Sequence, residues 1–191
     1  MAERLRNLVE LFLDKIINPD TYHLYYILDR HLNNISGDRV SNGHDIEAAW
    51  FLRDAALLLN DPKLLKRVEE ASVKMAEAVE NAMQPDGSIL NTNRTSNENR
   101  SWWPQTEAIV GYFDAWEISG EEKFLDYAIN CWNYTRDHFI DRTNGGWFSR
   151  VSANGEAGGD KAASSGGICP YHNGRMSLEI MERVERLQKR K

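Results

Sequence analysis

The feature that most constrains the fold of this chain is a three-four spacing of apolar residues that recurs in segment after segment. The spacing is clear from Leu5 to Ile17, where the stop signal Asn18-Pro19 follows it. Because apolar residues three and four apart lie on one face of an α-helix, each such segment predicts an amphipathic helix. The six predicted helices cover 5–17, 48–59, 64–83, 102–118, 122–139 and 171–187.

Short strand-like pieces lie between the predicted helices. Their ranges are 22–28, 32–35, 87–90 and 146–151. Helix pairs that recur with such connections predict an all-α fold, an α/α toroid or solenoid with short β-hairpin connections gathered on one face. No internal boundary divides residues 1–191, so one domain is expected, with its loosest loops at 91–100 and 154–167.

The charge balance excludes two classes of partner. Twenty-nine acidic residues against 23 basic ones give a net charge of −6, whereas nucleic acids and anionic membranes bind basic surfaces. We therefore expect no nucleic-acid partner and no membrane partner. The chain has only Cys131 and Cys169, no signal-peptide pattern and no run of about 18 apolar residues. A cytoplasmic location is the expectation.

Three polar islands lie where predicted helices begin. In the first, His44 and Glu47 are three residues apart and share a helix face. Asn42 or Asp45 is expected to cap that helix. His44 is then either an ordinary hydrogen-bonded histidine or part of a site. A metal site is a weak interpretation here, since the His-Glu-x-x-His spacing is absent.

The second island contains Trp103 and Glu107, four residues apart. A tryptophan pair at this place either packs in the core or forms a sugar site, where the ring stacks on a pyranose and polar groups bind hydroxyls. The third island contains Cys169, His172 and Arg175. Cys169 as a nucleophile with His172 as its base is the weaker reading of that island, since nothing else marks the thiol as activated.

No phosphate-binding glycine loop, dinucleotide fingerprint or Cys-Cys metal spacing is present in the sequence, so no cofactor and no metal are expected. Histidine titrates closest to neutral pH. Two histidines that face each other across a substrate can remove a proton from one face of a carbon and return one to the other face. His44 and His172 therefore suit the inversion of a carbon next to a carbonyl.

The three islands together resemble the signatures of the N-acylglucosamine 2-epimerase superfamily. The matching segments are Gly43-His44-Asp45-Ile46-Glu47-Ala48, Trp102-Trp103-Pro104-Gln105-Thr106-Glu107-Ala108 and Cys169-Pro170-Tyr171-His172-Asn173-Gly174-Arg175. The strand Gly146-Trp147-Phe148 also fits, and the order and spacing agree over nearly the whole chain. The form of the third segment favours the branch of the family that acts on β-1,4-linked disaccharides such as cellobiose.

The resemblance implies a fold, a reaction and a set of site residues. The fold would be an (α/α)6 barrel, of which residues 1–191 would form the C-terminal half. The reaction would be epimerisation at C2 of the reducing-end aldose through a cis-enediolate, without a cofactor. The implied residues are His44 and His172 as the acid/base pair, and Glu47, Trp103, Glu107 and Arg175 as substrate-binding or supporting groups.

Two features set this sequence apart from the family pattern. Gly167 stands where the family usually has a tryptophan on the wall of the sugar site, so a stacking platform worth roughly 1–2 kcal/mol would be lost. The histidine and arginine that the family carries in its N-terminal half have no counterpart. The chain is therefore expected to self-associate or to pair with a separate N-terminal half.

Other functions stay open at this stage. The chain could be a carbohydrate-binding or assembly fragment without chemistry of its own. It could be an N-acylglucosamine 2-epimerase or an aldose–ketose isomerase of the same superfamily. It could also be a glycosidase on the same toroid, with Glu47 and Glu107 as its carboxylate pair, although both histidines would then be idle.

Overall fold

The structure is a computed structural model that describes residues 1–93, 99–161 and 171–189. All six predicted helices are present. Their bounds are α1 Ala2–Leu11, α2 Asn42–Leu59, α3 Pro62–Val79, α4 Trp102–Ser119, α5 Glu122–His138 and α6 Tyr171–Lys189. A π-helical turn, Phe12–Ile16, extends α1, and a 3-10 turn, Glu80–Ala82, extends α3.

The largest difference from the predicted helices is the start of α2, which begins at Asn42 and not near Ala48. Apolar periodicity could not locate this start, because Asn42 and Asp45 are polar yet buried. The prediction that one of these two side chains caps the helix is wrong. The N-cap residue is Ser41, which makes no capping side-chain hydrogen bond, and the Asn42 amide donates to the carbonyl of Leu90.

A small antiparallel sheet covers one end of the helices. Its strands are β1 Arg100–Ser101, β2 Phe148–Val151 and β3 Ala157–Lys161, in the order β1-β2-β3. The predicted strand at 146–151 is thus confirmed from Phe148 onward. β3 falls within 154–167, which was expected to be a loop, because pairing with β2 satisfies its backbone despite two glycines. The rest of that segment lies outside the described residues.

The predicted strand-like pieces at 22–35 and 87–90 form no ladder. They make only isolated bridges, Ile17 with Leu24, Leu28 with Asn34 and Met83 with Ile89. Tyr22 and Leu32 have positive φ angles of 58° and 64°, which interrupt an extended conformation. Residues 18–41 are therefore a long connection with two tight turns, and this connection carries several side chains of the site.

The helices form an inner and an outer layer. α4 is buried on nearly all sides, from Pro104 to Ala115, and it packs against both α2 and α6. α3 lies over α2 and α4, α5 lies over α4, and α1 lies over α2. The described residues thus form three outer–inner helix pairs, which make up half of the ring of an α/α toroid. Three such pairs amount to about half of an (α/α)6 barrel.

Two inner helices approach each other closely because Gly111 of α4 has no side chain. A Cβ at Gly111 would lie 2.5 Å from Ile46 Cγ1 and 2.8 Å from the Ile46 carbonyl oxygen. Such a distance is shorter than packed side chains allow, so any larger residue would force α2 and α4 apart. Within the described residues, no helix is both long and apolar enough to cross a membrane.

Candidate active site

The N-terminal ends of α2, α4 and α6 converge on one side of the molecule. They bring together all six residues that the sequence singled out. These are His44 and Glu47 from α2, Trp103 and Glu107 from α4, and His172 and Arg175 from α6. Residues separated by more than 120 positions thus share one site, because the inner helices α2, α4 and α6 pack side by side.

Trp103 contacts both histidine rings. Its ring centroid is 4.8 Å from that of His44 and 5.4 Å from that of His172. Gly43 allows this arrangement, because a Cβ there would lie 2.5 Å from Trp103 Cη2. The tryptophan is half-buried and His44 is exposed. The indole therefore brings the imidazoles of α2 and α6 to the same place.

Arg175 holds the two glutamates together. Its Nη2 donates to Glu47 Oε1 at 2.7 Å and to Glu107 Oε1 at 2.6 Å. Its Nη1 donates to the Tyr171 hydroxyl at 2.6 Å, and its guanidinium stacks on the rings of Tyr171 and Phe51. Burial opposes the charge, but the two carboxylates outweigh that effect and raise the pKa of Arg175. Arg175 therefore bridges two carboxylates, one from α2 and one from α4.

Glu107 is 1% exposed, and protein groups occupy both of its carboxylate oxygens. Oε1 contacts His172 Nδ1 at 2.6 Å as well as Arg175, and Oε2 accepts from Trp50 Nε1 at 3.1 Å. A buried carboxylate that contacts three protein donors is suited to orienting His172. Direct contact of Glu107 with a sugar hydroxyl is geometrically less favourable than was expected from the sequence.

His44 has a neutral partner where His172 has a charged one. Its Nδ1 lies 2.7 Å from Ser41 Oγ, and Ser41 Oγ donates in turn toward Asn91 Oδ1 at 3.5 Å. Tyr26, whose ring carries the Arg39 guanidinium at 4.1 Å, meets His44 edge-on at 6.4 Å. Residues of the 18–41 connection thus form the outer wall of the site on the His44 side.

The neighbour of His44 on α2, Asp45, ties this connection down. Its buried carboxylate accepts from the Leu24 amide at 2.8 Å and contacts His23 Nδ1 at 2.7 Å. Burial raises the pKa of Asp45, and its hydrogen bonds with His23 and Leu24 oppose that effect. His23 therefore holds the 18–41 connection against α2. Its link to Asp45 spans 22 residues and could not be read from local spacing.

Glu47, Glu107 and His172 place one potential ligand atom each within 4.8 Å of one another. Arg175 already binds both carboxylates of this group, so a cation would have to displace the guanidinium. The same geometry disfavours a glycosidase, because the acid of such a pair must reach a glycosidic oxygen. Glu107 is buried and contacts three protein donors, so it is not placed to reach a glycosidic oxygen.

Several site residues escaped the sequence analysis. They are Ser41, Trp50, Phe51 and Tyr171, together with Tyr26 from the long connection. A signal did exist for Trp50 and Phe51, which follow Glu47 by three and four residues and therefore share its helix face. Cys131 of α5 is fully buried in the core. Cys169 and Gly167 lie outside the described residues.

A second polar cluster lies further along the same three helices. Asp114 accepts from Arg53 of α2 and Arg183 of α6, and Arg183 also donates to Glu117 at 2.7 Å. Arg183 and Asp114 are each 1% exposed. Because this network joins α2, α4 and α6, it fixes the separation of the helices that carry the histidines.

Comparison with known proteins identifies relatives over nearly the whole chain. A family model described as N-acylglucosamine 2-epimerase (GlcNAc 2-epimerase) matches residues 3–173. The cellobiose 2-epimerase of Dictyoglomus turgidum is 36% identical over 187 residues, which cover 96% of this chain and 48% of the relative. The cellobiose 2-epimerase of Ruminococcus albus is 37% identical, with the same coverage.

Solved structures agree with the fold. The crystal structure of a sugar epimerase from a ruminal bacterium superposes with a TM-score of 0.87 at 36% identity, covering 95% of this chain and 47% of that one. The chain therefore spans about half the length of the relatives it matches.

Proposed function

The chain belongs to the N-acylglucosamine 2-epimerase family, and from this premise we propose that it carries the acid/base site of a sugar 2-epimerase. The proposed substrate is the reducing-end aldose of a β-1,4-linked disaccharide similar to cellobiose. The observation that carries the proposal is that His44 and His172, which come from two different helices, both contact the Trp103 ring. A sugar bound at that ring would lie within reach of two different imidazoles.

The reaction follows from this geometry. The sugar opens to its aldehyde form, and one histidine removes the proton from C2. The electron pair of that bond forms the C1–C2 double bond of a cis-enediolate, with negative charge on the C1 oxygen. The other histidine delivers a proton to the opposite face of C2, and the carbonyl at C1 is restored. Two histidines therefore suffice, and the proposed reaction needs neither a metal nor a cofactor.

The hydrogen-bond partners support an assignment of the ring nitrogen that faces the substrate. A carboxylate only accepts, so His172 Nδ1 carries the hydrogen that Glu107 binds. The Ser41 hydroxyl directs its hydrogen to Asn91 and so accepts from His44 Nδ1. Among the described residues, no hydrogen bond ends on Nε2 of either ring. Both histidines thus offer Nε2 to the sugar.

The same partners support a division of the starting roles between the two histidines. Glu107 stabilises a positive charge on the His172 ring, as the buried carboxylate of a catalytic triad does for its histidine. The single positive charge of Arg175 faces two carboxylates, which leaves one negative charge for the imidazolium to balance. His44 has only a hydroxyl partner and therefore begins as the neutral base. Epimerisation of the product reverses these roles.

The remaining residues bind and orient. Trp103 stacks on the sugar, and Glu47, whose side chain is 14% exposed, is placed to accept from its hydroxyls. Glu107 and Arg175 are positioning residues that hold His172 and Glu47. The chain spans about half the length of its relatives. We therefore propose that it assembles, either with a second copy or with a polypeptide equivalent to the unmatched half of the relatives.

The test is hydrogen exchange at C2. The purified chain is incubated with cellobiose in heavy water, and the reducing-end C2 proton is followed by NMR. Loss of that signal together with the appearance of glucosyl-mannose would support the proposal. A ketose product would indicate protonation at C1 and thus an aldose–ketose isomerase, and free glucose would indicate a glycosidase. Saturation transfer to cellobiose without exchange would indicate a binding fragment.

Variants assign the exchange to the two histidines. His44→Ala and His172→Ala should each abolish formation of the epimer, because inversion at C2 needs a proton carrier on each face. His31→Ala is the matched control, since His31 lies in an exposed turn of the 18–41 connection and its side chain bonds only Arg30 among the described residues. Epimer formation that persists in either active-site variant would contradict the proposed roles.

A further inference from the structure

One open edge of the half-ring is strongly apolar. On α6, Leu178, Met181 and Val184 are spaced by three residues and are 62%, 59% and 38% exposed. On α5, Ile129 and Trp132 are 47% and 39% exposed. Between the two helices runs a groove of about 320 Å³, whose floor is Ile109 and Phe113 of α4. Contiguous apolar surface of this kind marks an interaction site. We call this surface the α5–α6 edge.

The opposite edge of the half-ring is apolar as well. Phe12 and Ile16 of the π-helical turn, with Leu24, Tyr25 and Ile27 of the 18–41 connection, line a second cavity of about 490 Å³. Ile27 is 44% exposed. His44 lies on the wall of this cavity, so the edge borders the candidate active site. We call this surface the α1–α2 edge.

We propose that these two edges bind each other between two copies of this chain and close a complete ring. The chain matches about half of each relative in length and in structure. Two copies therefore provide six outer–inner helix pairs, the number that an (α/α)6 barrel contains. Each copy carries both edges, so a two-fold arrangement places the α1–α2 edge of one copy against the α5–α6 edge of the other at two identical junctions.

Closure of the ring at two junctions sets the area that each junction must bury. A stable protein–protein interface buries on the order of 1,600 Å² in total. Because the ring closes at two junctions, each junction needs to bury only about half of that area. In the closed ring, α6 of the second copy would lie beside His44 of the first. The position of the partner's α6 at the active site rests on the proposed function. The assembly of two copies does not rest on it.

The first measurement is the mass of the chain in solution by sedimentation or light scattering. The expected particle is a dimer, twice the 21.9 kDa of one chain. Met181→Glu places a carboxylate on the α5–α6 edge, and Ile27→Glu places one on the α1–α2 edge. An unpaired charge that is buried at each junction should weaken dimerisation about 100-fold or more in either variant. Lys66→Glu, on the outer helix α3, is the control and should stay dimeric.

The decisive experiment mixes the two variants. A homodimer of either variant has two damaged junctions, whereas a mixed dimer has one junction with both substitutions and one with neither. The mixture should therefore recover dimers that neither variant forms alone, and native mass spectrometry would detect them. This recovery also shows that both variants are folded.

Three results would overturn the proposal. One is a monomeric parent chain. Another is that Met181→Glu dissociates the dimer whereas Ile27→Glu does not, which would indicate an α6-to-α6 contact. The third is failure of the mixture to recover dimers when both variants keep the helical circular dichroism of the parent. The mass is independent of turnover, so a dimer without C2 exchange would refute the proposed function and leave this inference standing.

Discussion

Replacing Glu107 with glutamine tests the architecture of the site without any assay of turnover. The carboxylate of Glu107 is 1% exposed and is contacted by Arg175 Nη2 and His172 Nδ1, each at 2.6 Å, and by Trp50 Nε1 at 3.1 Å. Glutamine has nearly the same shape but no charge, and its amide nitrogen is a donor. One of the three donors must then face another donor.

The size of the effect follows from these contacts. A hydrogen bond to a charged group contributes about 1.5–3 kcal/mol, and breaking a buried ion pair by removing one partner costs about 3–5 kcal/mol. Arg175 keeps Glu47 and the amide oxygen still accepts, so the lower end applies. We expect Glu107→Gln to lower the free energy of unfolding by about 3 kcal/mol. With a urea m-value of about 2–3 kcal/mol/M, the midpoint falls by about 1–1.5 M.

Glu47→Gln is the control in the same urea titration. The Glu47 side chain is 14% exposed and its described partner is Arg175 alone. Its replacement should lower the free energy of unfolding by about 1 kcal/mol. Both variants are compared with the parent at one protein concentration, because assembly changes apparent stability. A loss below 1 kcal/mol for Glu107→Gln, or a larger loss for Glu47→Gln, would refute the view that Glu107 is the buried centre of the network.

Three further predictions concern packing, pH and substrate. Gly111→Ala should lower the free energy of unfolding by about 1–3 kcal/mol, since its Cβ would meet the Ile46 backbone; unchanged thermal unfolding would contradict this. Burial raises the pKa of Asp54 from 3.8 to about 6, so the protonated form stabilises the fold below pH 4 and that stabilisation is lost as pH rises through 6. Asp54→Asn should therefore stabilise the protein at pH 7 by about 1 kcal/mol, after a discount for its 40% exposed side chain, and have little effect at pH 4.5. Trp103→Ala should weaken cellobiose binding, measured by calorimetry, about 3- to 10-fold through the lost aromatic contact.

Much of the site could be predicted because its residues lie in three short segments at helix starts. Helix spacing places His44 with Glu47, Trp103 with Glu107 and His172 with Arg175, whatever the rest of the fold does. What this spacing cannot show is which segment meets which. The bridge of Arg175 to both glutamates, and the contact of Glu107 with His172, join residues 65 or more positions apart.

The buried network around Asp114 shows a signal that could have been used. Asp114 lies among the apolar residues of α4, and a buried carboxylate in such a segment must find a cation. Spacing alone left the choice among several arginines open. The structure selects Arg53 and Arg183, because they come from the two helices that flank α4.

The sequence by itself determined the elements that depend on local periodicity, namely the six helices, the strand near Trp147 and the polar helix starts. It did not determine the six extra residues of α2, the failure of 22–35 to form a ladder or the pairing of His23 with Asp45. Those features depend on burial of polar groups and on hydrogen bonds across long stretches of chain, which only the packed inner helices provide. The tertiary structure also decided which apolar side chains face outward at the two edges of the half-ring, because exposure depends on how the helices pack.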